Sequence, residues 1–375
     1  MTRIAARIAA LSFVVLLIAG CREEGPACTA SSTHEYAYIL SGDAVSIYTV
    51  NSCSGSFTPT AAGSVPTGTS GQEPAPESMV VDPQGRFAYA ANLVSNSADD
   101  ATISMYTIDP GTGALAPTSP ATVHTGYFPQ GIAISPSGKF VYTANSEDNT
   151  ISMFTVNAST GVLTPLTPAI VAAGWAPLSV TVHPSGKFAY AANQNDGTVS
   201  MYTVDPKTGL LTPTTPATVP TDKSPFGVTV DPSGKFAYVP NTYSRGNTVS
   251  QYTIDGDTGV LTPGSPASVT AGNQPTAVGV DPSGRFAYVA NRGDGTVSMF
   301  TINPETGNLT PKGAITAGGI PSRILFNPSG KFVYVVNEIT AASIYTINTD
   351  GTLTADGMTG DENGAVSMAI TAIKQ

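Results

Sequence analysis

Short runs of β-branched and aromatic residues recur along the whole chain, and Pro, Gly, Asn or Asp bounds each of them. One copy of the pattern contains four such runs, at residues 275–281, 286–291, 296–302 and 309–311. The second run, Phe-Ala-Tyr-Val-Ala-Asn, is apolar at consecutive positions, so both of its faces are predicted to be buried. The pattern therefore predicts strands of a sheet that packs between two other sheets.

The four-strand unit repeats, and a Pro-x-Gly turn follows the first strand of each complete copy. These turns recur at intervals of 46 to 53 residues, with their glycines at Gly85, Gly138, Gly186, Gly234, Gly284 and Gly330. Four short strands in about 50 residues, repeated many times, are typical of a β-propeller, in which each repeat is one blade.

A seventh blade is predicted to be split between the two ends of the chain. Residues 36–40, 45–50 and 57–60 supply three strands with no inner strand before them, and residues 365–370 supply a strand with nothing after it. Pairing the C-terminal strand with the N-terminal blade closes the ring and removes its open sheet edges. We therefore predict an all-β fold, a seven-bladed propeller of four-stranded antiparallel blades over residues 34–375.

The first twenty residues are predicted to be a signal peptide. Arg3 and Arg7 accompany an apolar run that is too short for a comfortable membrane span. The run ends in Leu-Ile-Ala-Gly-Cys21, which resembles the lipobox of bacterial lipoproteins. The resemblance implies that Cys21 is lipidated and becomes the first residue of the mature chain. The alternative is an ordinary secretory signal with a chance cysteine.

Residues 21–33 are predicted to be a polar, lipidated tether. Arg22 follows the lipobox cysteine, where retention in the inner membrane would favour aspartate. By analogy, this favours a lipid-anchored protein of the outer membrane, on its periplasmic side or exposed at the cell surface. Such a compartment is oxidising, so we expect a disulfide between Cys28 and Cys53. Two unpaired thiols are the alternative.

Charge and composition narrow the partners and cofactors. The 375 residues include 16 basic and 26 acidic ones, and the net charge is −10. A nucleic-acid-binding surface needs basic residues to neutralise phosphates, so no nucleic acid partner is expected. Three cysteines and three histidines leave little for a zinc site. The sequence also has no phosphate-binding loop or haem motif, so we expect neither a metal nor another cofactor.

The ends of the second strands resemble a known repeat. The segments Tyr190-Ala-Ala-Asn193, Tyr238-Val-Pro-Asn241 and Tyr288-Val-Ala-Asn291 are similar to the YVTN repeats of seven-bladed propellers. Together with the recurring Pro-Ser-Gly-Lys-Phe and Thr-Gly-x-Leu-Thr-Pro segments, they make the chain resemble the lactonase-type propeller family. That family includes 6-phosphogluconolactonases and carboxymuconate cyclases. The resemblance covers nearly all of residues 34–375 and implies the same fold.

The two faces of the predicted ring differ in how much their loops vary. We name the strands of a blade A to D from the axis outward. The A–B and C–D turns share one face, the scaffold face, and barely change between blades. The B–C and D–A loops share the other, the loop face, and do vary, which is typical of ligand-binding loops. Tyr127, Trp175 and Arg292 are therefore candidate ligand-binding residues. For Trp175, packing at a blade edge is the alternative.

The last blade departs from the others at two positions. Arg323 starts its strand A where other blades have Ser, Gly or Ala, and Glu338 follows its strand B. The segment resembles the lactonase family's Gly-Pro-Arg-His…His-Pro-x-Gly-Lys-Phe-x-Tyr-x-x-Asn-Glu motif, with Ile324 and Asn327 replacing the histidines. The resemblance implies that Arg323 stabilises an oxyanion and that Glu338 acts as a base on water. An Arg323–Glu338 ion pair, or ligand binding without catalysis, are the alternatives.

Two functions are compatible with these patterns. The first is a non-enzymatic lipoprotein of the cell envelope that binds an envelope protein or a small ligand through Tyr127, Trp175, Arg292, Arg323 and Glu338. The second is a lactone hydrolase, similar to 6-phosphogluconolactonases, with Arg323 and Glu338 as its catalytic residues and a sugar lactone as its substrate. In both, the lipid on Cys21 makes the membrane a partner.

Overall fold

Seven four-stranded antiparallel sheets make up the propeller. The structure, a computed structural model, describes residues 33–68, 75–93, 101–242, 247–340, 342–359 and 365–374. These ranges contain twenty-eight strands and no helix. None of them therefore contains a helix that could cross a membrane. The predicted all-β, seven-bladed propeller is confirmed.

Each blade has its strands in the order A, B, C, D, and the strands are as follows. Blade 1 contains β28 (Ser367–Lys374), β1 (Thr33–Ser41), β2 (Ala44–Val50) and β3 (Phe57–Pro66). Blade 2 contains β4 (Ala75–Val81), β5 (Phe87–Leu93), β6 (Thr102–Ile108) and β7 (Leu115–His124). Blade 3 contains β8 (Pro129–Ile134), β9 (Phe140–Asn145), β10 (Thr150–Val156) and β11 (Leu163–Ala172). Blade 4 contains β12 (Pro177–Val182), β13 (Phe188–Asn193), β14 (Thr198–Val204) and β15 (Leu211–Pro220).

The remaining three blades follow the same order. Blade 5 contains β16 (Thr229–Val230), β17 (Phe236–Asn241), β18 (Thr248–Ile254) and β19 (Leu261–Thr270). Blade 6 contains β20 (Pro275–Val280), β21 (Phe286–Asn291), β22 (Thr296–Ile302) and β23 (Leu309–Thr316). Blade 7 contains β24 (Pro321–Phe326), β25 (Phe332–Asn337), β26 (Ala342–Ile347) and β27 (Leu353–Thr359).

The first and last strands close the ring, as predicted. β28 pairs antiparallel with β1 and places Tyr38 opposite Ala369. Residues 31–375 form one compact unit that holds all twenty-eight strands. A chain that starts at Glu23 therefore contains every segment that the blades need. The predicted signal peptide and almost all of the tether lie outside the described residues and stay predictions.

Burial changes from the inner strands to the outer ones. Strands B such as β9, β13 and β21 are buried at every position, because each is covered by a blade on both sides. Strands D such as β15 are mostly exposed. Prolines in these outer strands and a register shift in every C–D pair interrupt the free edge. Such interruptions hinder pairing with a strand of another molecule.

Most neighbouring blades are joined by a hydrogen bond from a tyrosine of one blade to a glycine of the next. The strand-B tyrosine of one blade donates its hydroxyl hydrogen to a C–D turn carbonyl of the following blade, as Tyr190 does to Gly259 at 2.8 Å and Tyr238 to Gly307 at 2.7 Å. The same bond joins six of the seven blade pairs. Gly259 has a φ of +73°, and a Cβ there would lie 2.3 Å from the ring of Phe188. Glycine is therefore required at this turn position.

The contact between blades 7 and 1 is the exception. The hydroxyl of Tyr334 is buried and has no hydrogen-bond partner among the described residues. Gly55 nevertheless occupies the equivalent turn position and packs against Phe332. Burial raises the pKa of Tyr334, and the nearby Glu35 carboxylate raises it further. The contact between blades 7 and 1 thus lacks the bond that the other six contacts share.

Removing the tyrosine hydroxyl should have different effects at these two kinds of interface. We expect Tyr190→Phe to lower the free energy of unfolding by about 1–3 kcal/mol, because it leaves the buried carbonyl of Gly259 without its donor. Tyr334→Phe should leave the free energy unchanged or raise it. Urea denaturation of the chain from Glu23 onward, followed by circular dichroism, measures both. Equal losses of unfolding free energy in the two variants would contradict the conclusion that only Tyr190 is hydrogen-bonded.

Glu35 is a second departure from the repeat at the contact between blades 7 and 1. It stands in β1 where the other blades have a basic residue, namely Arg86, Lys139, Lys187, Lys235, Arg285 and Lys331. Glu35 is only 7% exposed, and its Oε2 has no hydrogen-bond partner among the described residues. Burial raises the pKa of Glu35, and a hydrogen bond with Asn327 partly offsets this. Ionised Glu35 therefore opposes folding.

The effect of Glu35 on stability should depend on pH. In the unfolded chain the Glu35 carboxyl ionises in its ordinary pH range, whereas in the folded chain it ionises at higher pH. Stability is therefore lost as the pH rises through the raised pKa of the folded state. We expect Glu35→Gln to stabilise the protein at pH 7, because glutamine keeps the shape of the side chain without the charge that burial disfavours, and free-energy effects of this kind are commonly about 1 kcal/mol. At pH 4 it should have little effect.

Differential scanning calorimetry at the two pH values tests this expectation. Glu305→Gln is the matched control, because Glu305 is an exposed glutamate of the C–D turn in blade 6. That variant should leave the melting temperature unchanged at both pH values. An equal stabilisation by Glu35→Gln at pH 4 and pH 7 would show that ionisation is not the cause.

The C–D turn of blade 1 carries Cys53, which is disulfide-bonded. Its predicted partner, Cys28, lies outside the described residues, as does Cys21, so the pairing stays a prediction. Lys331 of blade 7 donates from Nζ to the carbonyl oxygen of Cys53 at 2.8 Å. The disulfide-bearing turn is therefore held against blade 7.

Candidate functional site

The A strands surround a cavity on the propeller axis, which we call the loop-face cavity. Its volume is about 320 Å³, and A-strand segments of all seven blades line it. The lining begins where the D–A loops enter the A strands, so the cavity lies toward the loop face. At one level of this wall Arg323 stands in a ring of small residues, namely Ser78, Gly131, Ser179, Gly227, Ala277 and Ser367.

Arg323 extends along the cavity wall from blade 7, past blade 1, to blade 2. Its Nε donates to the carbonyl oxygen of Val366 at 3.2 Å, and its Nη2 donates to that of Glu77 at 2.8 Å. Within the described ranges no carboxylate lies within 4.0 Å of the guanidinium. Loss of water lowers the pKa of Arg323. Since a guanidinium has five N–H donors, some remain for a ligand oxygen.

Glu77 is the one acidic residue that lines the loop-face cavity. Burial raises its pKa, the positive charge of Arg323 opposes this, and Glu338 adds to it. Glu77 was not among the residues predicted from the sequence. The sequence nevertheless contains one signal for it. The same A-strand position is uncharged in the next three blades, where it is occupied by Gln130, Leu178 and Phe226. The described ranges contain no group of three His, Cys, Asp or Glu that could hold a metal ion.

Glu338 is paired with Arg292, and the alternative of an Arg323–Glu338 ion pair is wrong. Arg292 Nε lies 2.9 Å from Glu338 Oε1, and Arg292 Nη2 lies 2.8 Å from Oε2. The pair joins equivalent positions of blades 6 and 7, and it raises the pKa of Arg292. Both side chains are partly exposed, at 46% and 35%. Neither lines the loop-face cavity, so the carboxylate nearest to Arg323 along the cavity wall is Glu77.

The two positions that replace the motif histidines lie in different places. Ile324 follows Arg323, lines the cavity and packs into the core between blades 6 and 7. Asn327 lies beyond the other end of β24, at the scaffold face, and is fully buried. Its Oδ1 accepts hydrogen bonds from the backbone N–H groups of Lys331 and Phe332, both at 3.0 Å. Asn327 closes a turn, so the side chain at this position does not reach the loop-face cavity.

Tyr127 and Trp175 occupy equivalent positions in the D–A loops of blades 3 and 4. The backbone N–H of each donates to a B–C loop aspartate at 2.6 Å, Asp148 for Tyr127 and Asp196 for Trp175. Trp175 is 60% exposed. Tyr127 is half-buried and meets Phe128 edge to face. Neither lines the loop-face cavity, so both belong to the outer surface of the loop face.

The asparagine that ends each YVTN-like segment holds the neighbouring loops of the loop face in place through hydrogen bonds. Asn193 donates from Nδ2 to Thr198 Oγ1 and Ser200 Oγ, both at 2.9 Å. Its Oδ1 accepts the backbone N–H of Gly174 at 3.2 Å. The same donor pair recurs at Asn145 and in other blades. The motif is therefore structural, and it holds the loop face in a defined shape around the cavity.

The sequence matches the family model described as Lactonase, 7-bladed beta-propeller, over residues 28–176, 174–266 and 228–368. This chain belongs to that lactonase propeller family. The overlap of the three matched segments reflects the internal repeat. The last of them contains Arg323, Glu338 and Arg292, so the cavity described above lies within the family part of the chain.

Solved structures support the fold of this lactonase-family propeller. A candidate 6-phosphogluconolactonase from Bacteroides uniformis is 20% identical, and the match covers 91% of this chain and 100% of that one with a TM-score of 0.75. The periplasmic gluconolactonase of Pseudomonas aeruginosa is 20% identical, with 91% and 99% covered and a TM-score of 0.74. Hydrazine synthase from Kuenenia stuttgartiensis is 18% identical, with 86% and 95% covered and a TM-score of 0.55. No curated protein matches the sequence.

Proposed function

We propose that this lactonase-family propeller binds a small lactone or a related carbonyl compound in its loop-face cavity. The observation that carries the proposal is Arg323. Its guanidinium lies in a ring of small residues and is held by two backbone carbonyls, with no carboxylate of the described ranges within 4.0 Å. A charged donor held in this way favours an oxygen acceptor from a ligand. The volume of about 320 Å³ is that of a small-molecule site.

Hydrolysis of the lactone is the second candidate, and Glu77 supports it. In this reaction Glu77 takes a proton from water as the water oxygen bonds to the carbonyl carbon, and Arg323 stabilises the resulting oxyanion. The ring C–O bond then breaks, and the leaving alkoxide receives the proton. A base works best when its pKa approaches the working pH, and burial moves that of Glu77 upward. Glu338 is less suited, because Arg292 occupies both of its oxygens.

Substitutions at Arg323 and Glu77 separate binding from catalysis. We expect Arg323→Ala to weaken the binding of sugar and organic-acid lactones by about 10- to 100-fold, since it removes a charge-assisted hydrogen bond. Glu77→Gln should retain binding and lose hydrolysis. In the unsubstituted protein, the hydrolysis rate should rise with pH through the raised pKa of Glu77, because the carboxylate is the active form. Calorimetric titration measures binding, and pH-stat titration measures hydrolysis.

Two controls make these outcomes specific. Lys235→Ala removes an exposed cation on the scaffold face and should change neither binding nor hydrolysis. Glu338→Gln should leave hydrolysis intact if Glu77 is the base, and abolish it if Glu338 is. Binding without turnover would make the protein a lactone-binding scaffold. If no lactone binds, the proposed ligand is wrong and the loop face becomes a surface for an envelope protein.

We also propose that the propeller is a lipoprotein of the cell envelope, anchored through Cys21 and located at the outer membrane. The support is the Leu-Ile-Ala-Gly-Cys21 run and the firm membrane anchoring that several acyl chains give. In bacteria fed an alkyne analogue of palmitate, the expressed protein should carry the label in the membrane fraction. Cys21→Ser should abolish labelling, whereas Cys28→Ser, the matched control, should retain it. Equal labelling of the two variants would contradict the assignment.

A further inference from the structure

Two aromatic side chains of the loop face lie in neighbouring blades. Trp175 is among the most exposed large apolar residues of the described ranges, and Tyr127 holds the equivalent D–A position in blade 3. In blades 5, 6 and 7 this position is occupied by Lys223, Asn273 and Gly319. Within the described D–A loops, an aromatic residue at this position is therefore confined to blades 3 and 4. We call Tyr127 and Trp175 the aromatic pair.

The loop that carries Trp175 is held between the B–C loops of blades 3 and 4. The backbone N–H of Trp175 donates to Asp196 at 2.6 Å, and that of Asn195 donates to the carbonyl oxygen of Trp175 at 3.2 Å. From the other side, Ala176 donates its N–H to Oδ1 of Asn149 at 2.8 Å. Ala176 has a φ of +56°, which a non-glycine residue adopts where its surroundings enforce it. The backbone that presents the indole is therefore fixed before a ligand arrives, which lowers the ordering cost of binding.

The surroundings of Trp175 are polar. Every side chain of the two flanking B–C segments is an amide or a carboxylate, namely Glu147, Asp148, Asn149, Gln194, Asn195 and Asp196. The side-chain amides of Gln194 and Asn195 make no hydrogen bond within the described ranges. A single indole among hydrogen-bonding groups lacks the apolar core of a protein interface. It matches a ligand with one apolar C–H face and a rim of hydroxyls, as a pyranose ring has, and the carboxylates favour a neutral sugar over an anionic one.

The aromatic pair adjoins the wall of the loop-face cavity. Tyr127 and Trp175 precede the wall residues Gln130 and Leu178 by three positions each, so the two Cα atoms lie within about 11 Å of each other in both loops. Gln130 holds the A-strand position that Glu77 holds in the preceding blade, and its amide makes no hydrogen bond within the described ranges. A ligand that extends from Glu77 past Gln130 therefore reaches the edge of the cavity at the blades that carry the aromatic pair.

We propose that the D–A loops of blades 3 and 4 form an outer subsite for a neutral pyranose ring, and that the ligand of this propeller is a glycosylated lactone. Its lactone ring contacts Arg323 in the loop-face cavity, and its glycosyl ring stacks on Trp175. This inference rests on the proposed lactone binding. Covering the exposed indole face with the C–H face of the sugar removes apolar surface from water, and the flanking amides are placed to bond the hydroxyls.

Lactones with and without a glycosyl ring test the proposal. Calorimetric titration of the chain from Glu23 onward with freshly dissolved glucono-δ-lactone, cellobiono-δ-lactone and maltobiono-δ-lactone gives the Kd of each. We expect at least one of the two disaccharide lactones to bind about tenfold more tightly than glucono-δ-lactone, since covering one face of an indole contributes on this order. Its binding should also shift the emission of Trp175, the one tryptophan of the chain, and shield that emission from quenching by acrylamide.

Variants of the loop face locate the glycosyl ring. Trp175→Ala should bind the disaccharide lactones only as tightly as glucono-δ-lactone, whose own affinity should not change, and Trp175→Phe should retain most of the gain. If Trp175→Ala does not fold, Gln194→Ala removes a flanking amide and should reduce the gain. Ile170→Ala is the matched control, because Ile170 is a second exposed apolar residue, 52% exposed on outer strand β11. It should behave as the unsubstituted protein.

The outcomes distinguish this inference from the proposal on which it rests. Equal affinities for the three lactones would overturn the glycosyl subsite and leave lactone binding standing. A gain that persists in Trp175→Ala would also overturn the subsite. If none of the lactones binds but cellobiose or maltose shields Trp175, the proposed lactone binding is wrong and the pyranose subsite stands. If no saccharide shields Trp175 either, both are wrong.

Discussion

The bond from a strand-B tyrosine to a turn glycine of the following blade is the contact on which the ring depends. It can form only where the turn has no side chain, because the aromatic ring of the preceding blade lies where a Cβ would be, as Phe188 does beside Gly259. Repetition of this contact sets the spacing between blades at the scaffold face. The asparagine network of the YVTN-like segments performs the corresponding task at the loop face.

Because these contacts hold the blades together away from the axis, the axis-lining residues are free to differ from blade to blade. One arginine can therefore replace a small residue without disturbing the ring. The neighbouring small side chains provide the volume that Arg323 fills, and the ends of two other A strands provide carbonyls that hold it. The site is thus a consequence of differences between the blades. At the level of Arg323 the other six blades supply small residues, and blade 7 supplies the positive charge.

The repeat made most of the fold predictable, because turn glycines and strand periodicity are local properties of the sequence. The closure was predictable since the split blade left one inner strand missing. The partner of Glu338 was not predictable. Arg292 lies in the neighbouring blade, and the spacing of residues along the chain does not give the distances between side chains of different blades. Glu77 was missed because its position varies in every blade. The role of Asn327 emerged only when β24 placed it at the opposite end of the strand from the cavity.

The pairing of β28 with β1 has a consequence for assembly. Strands from the two ends of the chain meet in one sheet, so the inner edge of β1 stays open until the rest of the ring has formed. During that interval β28 of a second molecule offers the same register and the same side chains. Exchange of this strand between molecules therefore competes with ring closure. The proportion of closed monomers therefore depends on how concentrated the protein is while it folds.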